Sequence, residues 1–73
     1  MSNNQQIMLN RIKVVLAEKQ RTNRWLAEQM GKSENTISRW CPNKSQPSLD
    51  MLVKVAKLLN VDPRQLINGK IKI

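Results

Sequence analysis

An all-α domain of short helices is predicted by three features of the sequence. Apolar residues recur at the three- and four-residue spacing of a helix, capping residues stand directly before those runs, and 73 residues leave room for one core only. Five helices are expected. The organisation that follows is a polar leader over residues 1–5, one domain over residues 6–68 and a short tail over residues 69–73.

Met8, Ile12, Val15 and Leu16 share one helical face, so a first helix is expected from about residue 6 to about residue 20. Thr22 can cap a second helix of about eight residues that carries Leu26, Ala27 and Met30 on one side. Gly31 can take the left-handed conformation that ends it. Ser33 can cap a third helix over about residues 33–41, with Ile37 and Trp40 facing inward, until Pro42 stops it for want of an amide hydrogen. Residues 42–47 form the clearest loop. Ser48 then caps a fourth helix with a broad apolar stripe of Leu49, Leu52, Val55, Ala56 and Leu59. Asp62 and Gln65 form a capping-box pair around Pro63, and Val61 can staple to Leu66, so a fifth short helix is expected, ended by Asn68 and Gly69. The tail alternates basic and apolar residues and could fray, form a short strand or join a subunit interface.

Composition narrows the function classes. Thirteen Lys and Arg against five Asp and Glu give a net charge of +8, which favours phosphate-rich or other anionic partners. Histidine and tyrosine are absent and the five carboxylates sit at caps or exposed faces, so no enzyme and no cofactor are expected. Cys41 is the single cysteine, which rules out an internal disulfide, offers no metal-ligand cluster and suits a reducing cytoplasm. No apolar run approaches the roughly 20 residues of a membrane span.

The informative stretch is residues 22–40. Two helices crossing at roughly 90–120° need a small residue at the contact, and Ala27 supplies it. Gly31 makes the turn, Ser33 restarts the helix, and Ile37 with Trp40 pins the third helix to the core. At about 100° per residue, Glu34, Asn35, Ser38 and Arg39 then fall in one arc opposite that apolar pair. Any exposed helix face is polar, but these are the side chains that read base edges: Asn pairs with adenine, Arg with guanine, and Glu accepts from cytosine.

The segment LAEQMGKSENTISRW over residues 26–40, followed by Gln46-Pro47-Ser48-Leu49, resembles the helix-turn-helix domain of phage lambda repressor and Cro-type regulators, the XRE family. The resemblance extends over residues 10–67 and implies a lambda-repressor-like five-helix fold that binds double-stranded DNA, commonly as a homodimer. It implies base or nearby backbone contacts for Ser33, Glu34, Asn35, Ser38 and Arg39. It also implies a phosphate contact for Asn23, where many relatives have Gln, and an amide at a helix N-terminus is independently suited to that role. Lys32, Asn43 and Lys44 are further phosphate candidates, the last two gripping the far side of the groove.

Several positions depart from the family pattern. Leu16 and Cys41 stand where many relatives carry a paired Arg and Glu, and apolar replacement of both partners can be neutral or stabilising. Arg21 and Trp25 exchange apolar and polar character, so Trp25 could cover surface that Arg21 does not shield, or lie beside DNA or a partner protein. Gln20 and Asn43 replace frequent glycines. The expected function is transcriptional regulation by sequence-specific DNA binding, the alternative being an antitoxin-type module that binds a toxin protein and autoregulates through DNA.

Overall fold

The computed structural model describes residues 9–67, and four α-helices and one 3₁₀ turn follow in order: α1 Ile12–Glu18, α2 Asn23–Met30, α3 Glu34–Trp40, α4 Leu49–Leu59 and the turn Pro63–Leu66. Three of the four α-helices start as their sequence demands. Thr22, Ser33 and Ser48 are extended residues whose hydroxyls accept the backbone N–H three positions on, from Trp25, Thr36 and Met51. The ends of α2 and α4 fall on left-handed residues, Gly31 and Asn60.

Two expectations need correction. The first helix starts at Ile12 rather than near residue 6, because the chain at Asn10 and Arg11 is bound elsewhere. Asn10 pairs with Ile67 in an isolated antiparallel bridge, Arg11 N–H donates to the Leu66 carbonyl at 2.8 Å, and Asn10 Oδ1 accepts the Ile12 N–H at 3.1 Å. The same bridge limits the last element. The capping box of Asp62 and Gln65 forms with both of its bonds, yet Ile67 turns extended to meet Asn10, so one 3₁₀ turn replaces a fifth α-helix. The leader over residues 1–5 and the tail over residues 69–73 lie outside the described residues.

Thirteen buried apolar residues make one core, drawn from every helix and closed by Leu66. Leu16 and Cys41 are both buried in it, as the paired loss of Arg and Glu requires. Trp25 and Val61 pack on its edge, Val61 beside the turn that buries Leu66. Trp25 does more than cover: the Arg21 guanidinium lies 4.6 Å from its ring centroid, so the two exchanged residues form a cation–π pair with the ring against the core and the charge outside.

Candidate nucleic-acid interface

The interface is built from the crossing of α2 and α3. Ala27 is buried between the helices, and the turn closes through Lys32 N–H to the Ala27 carbonyl at 3.0 Å with Gly31 at φ 66°. Ser33 then accepts the Thr36 N–H at 3.2 Å and shares a 3.0 Å hydroxyl contact with Thr36 Oγ1, which fixes where α3 begins. Ile37 is 0% exposed and Trp40 5%, so the inward face of α3 has no freedom to roll.

Burial of that pair leaves Glu34, Asn35, Ser38 and Arg39 exposed together along the other face, with Ser33 exposed at its start. Within the described residues, the side chains of these four make no hydrogen bond or ion pair, so their donors and acceptors are available to a ligand. Glu34 therefore does not orient Arg39. It sits in the first turn of α3, where a carboxylate is favoured by the helix dipole, while Arg39 sits in the last turn, where a cation is favoured.

Of the flanking residues, Lys32 and Lys44 are exposed. Asn23 opens α2 and is half-buried; its Oδ1 accepts the Cys41 thiol at 3.4 Å, which places the start of α2 beside the end of α3. Burial pushes the Cys41 thiol above its ordinary pKa, an effect that nearby Lys13 partly offsets, so the sulfur keeps the proton it donates.

Asn43 departs from its expected phosphate role. Its side chain is turned inward: Asn43 Oδ1 accepts the Asn10 N–H at 2.8 Å and Gln46 Nε2 at 3.0 Å, and Asn43 Nδ2 donates to the Asn10 carbonyl at 3.3 Å. Asn10 completes the cluster by donating from Nδ2 to the Trp40 carbonyl at 2.9 Å and to Gln46 Oε1 at 2.8 Å. A buried amide must find partners, and here they hold the chain leaving α3. The same loop returns the N–H groups of Lys44 and Ser45 to the Arg39 carbonyl at 3.0 and 3.2 Å, so Lys44 is presented by a fixed backbone. Residue type and spacing do not mark Asn10 as a support, because Trp40, Asn43 and Gln46, which it joins, lie thirty or more positions away.

No cluster of His, Cys, Asp or Glu suited to a metal occurs among the described residues, and no described helix is long and apolar enough to cross a membrane. No curated protein matches the sequence. A solved crystal structure from Bacteroides fragilis, described provisionally as that of a DNA-binding protein, is similar at 97% identity and a TM-score of 0.82, over 82% of this chain and 97% of its own. The helix-turn-helix family profile matches residues 12–66, spanning all four helices and the final turn. With that match laid over the crossed pair α2 and α3, the chain belongs to the XRE-type helix-turn-helix family of DNA-binding domains.

Proposed function

We propose that this protein is a sequence-specific regulator of transcription that sets α3 in the major groove of double-stranded DNA, with Asn35 and Arg39 reading bases and Ser33, Glu34 and Ser38 contacting base edges or nearby backbone. Lys32, Lys44 and Asn23 hold phosphates on either side. The observation that carries this reading is the single exposed face of Glu34, Asn35, Ser38 and Arg39 on a helix pinned from behind by Ile37 and Trp40. The chain acts as a homodimer on two half-sites about one helical turn, roughly 34 Å, apart.

Two substitutions test the division of labour. Asn35→Ala should cost about 1–3 kcal/mol on the preferred site and little on random duplex, measured by fluorescence anisotropy after selection of the site from random DNA. Equal losses on both duplexes would remove Asn35 from base reading. Lys44→Ala should weaken both complexes alike and flatten the salt dependence by about one unit. An unchanged slope would remove Lys44 from the phosphates.

A further inference from the structure

A second surface lies away from α3. Gln29 and Met30 at the end of α2 and Lys54, Lys57 and Leu58 of α4 line a groove of about 290 Å³. Met30 and Leu58 are half-buried and pack on the core, so they form a fixed apolar floor. Lys54 and Lys57 are exposed and three positions apart on one side of α4, and neither has a carboxylate partner among the described residues. Lys57 gains something from the carbonyl end of α4, whose last turn it occupies. Lys54 lies a turn earlier and has no such compensation.

The chemistry of the groove limits its occupant. Its volume lies at the lower edge of the roughly 300–1,000 Å³ of small-molecule pockets, a size that also takes one or two side chains of a protein segment. A DNA backbone would satisfy the lysines but has nothing apolar to set on Met30 and Leu58. The chain's own residues 68–73 carry Lys70 and Lys72, of the same sign as the groove. An acidic amphipathic helix fits both features, with a leucine seated on the floor and carboxylates one turn apart facing the two lysines.

We infer that the α2–α4 groove docks an acidic, amphipathic helical segment of a partner protein while α3 remains free. No α3 residue lines the groove, so docking and DNA binding are compatible, and the peptide titration below is run without DNA so that its outcome is independent of the DNA-reading proposal; a random duplex enters only as a separate control on the two lysines.

The probe is a synthetic amphipathic peptide with leucine and glutamate at helical spacing, titrated into methyl-labelled protein and followed by NMR. The Met30 and Leu58 methyls should shift saturably, a peptide with lysine in place of glutamate should not shift them, and the double variant Lys54→Glu, Lys57→Glu should weaken the acidic peptide by about tenfold or more. Both lysines are exposed, and circular dichroism of the variant establishes that its fold is retained. Absence of the shifts, or equal shifts with the basic peptide, overturns the inference. So do shifts produced by raising the protein concentration alone, which would make a second copy the occupant. A flatter salt dependence of random-duplex binding in the double variant, without loss of peptide binding, would make the lysines phosphate contacts instead.

Discussion

The two ends of α3 are held by different means. Its start is closed within six residues, by Gly31 in the left-handed region and by Ser33 accepting the Thr36 N–H. Its exit is held across the molecule: Asn43 reaches back 33 positions to Asn10, and Asn10 reaches the Trp40 carbonyl and Gln46. A local cap forms whenever the helix forms, whereas the exit depends on α1, the loop and the final turn being assembled. The start of the reading face is therefore set by local chemistry alone, whereas the path of the chain leaving it combines local bonds to the Arg39 carbonyl with the tertiary cluster of Asn10, Asn43 and Gln46.

Breaking the exit should have the largest effect. Asn43→Ala removes the acceptor of the Asn10 N–H and of Gln46 and also puts a Cβ-bearing residue without a polar side chain at φ 64°. The buried unsatisfied groups and the left-handed backbone together should cost about 3 kcal/mol, read by urea unfolding. Asn43→Gly keeps the backbone free to adopt that φ and should cost about 2 kcal/mol, which isolates the amide cluster, while its difference from the alanine variant isolates the left-handed backbone. A glycine variant as stable as the parent would show that the cluster holds nothing, and the contrast between the two ends would fail.

The start should prove weaker and more local. Ser33→Ala removes the cap bond to the Thr36 N–H and the exposed hydroxyl contact with Thr36 Oγ1, and should cost about 1 kcal/mol. Hydrogen exchange should quicken at Thr36 and its neighbours while the Asn10 amide stays protected, since that amide is held by Asn43. Loss of protection at both places would mean that the two ends are one cooperative unit.

The same contrast governs what could be read from the sequence. Thr22, Ser33, Ser48 and Asp62 act on amides two or three positions away, so residue type and position sufficed to find every one of these caps. The outward set Glu34, Asn35, Ser38 and Arg39 was legible for a similar reason, because helical spacing fixes it once Ile37 and Trp40 are inside. Asn43 shows where this stops. Its tolerance of the left-handed backbone is a property of the residue, but the inward turn of its amide is decided by Asn10, which no local pattern connects to it. The late start of α1 and the 3₁₀ form of the last element share that origin in the Asn10 to Ile67 bridge. Likewise Arg21 and Trp25 were recognisable as exchanged residues, while the stacking of one on the other needed the folded turn between them.

The smallest effect concerns a third residue outside the favoured backbone region. Gln20 stands at φ 57° after α1, exposed, with its N–H on the Ala17 carbonyl at 3.0 Å and no side-chain network like that of Asn43. Glycine there would relieve the left-handed strain and keep the turn bond, at the cost of a more flexible unfolded chain. The first effect is the larger by a modest margin, so Gln20→Gly should stabilise the domain by about 0.5 kcal/mol and raise the melting temperature by about 2–4 °C. A fall in melting temperature would mean that the Gln20 side chain contributes more than its exposure suggests. Left-handed residues in this chain would then be held by their side chains at both turns, and the division between local and long-range support would have to be redrawn.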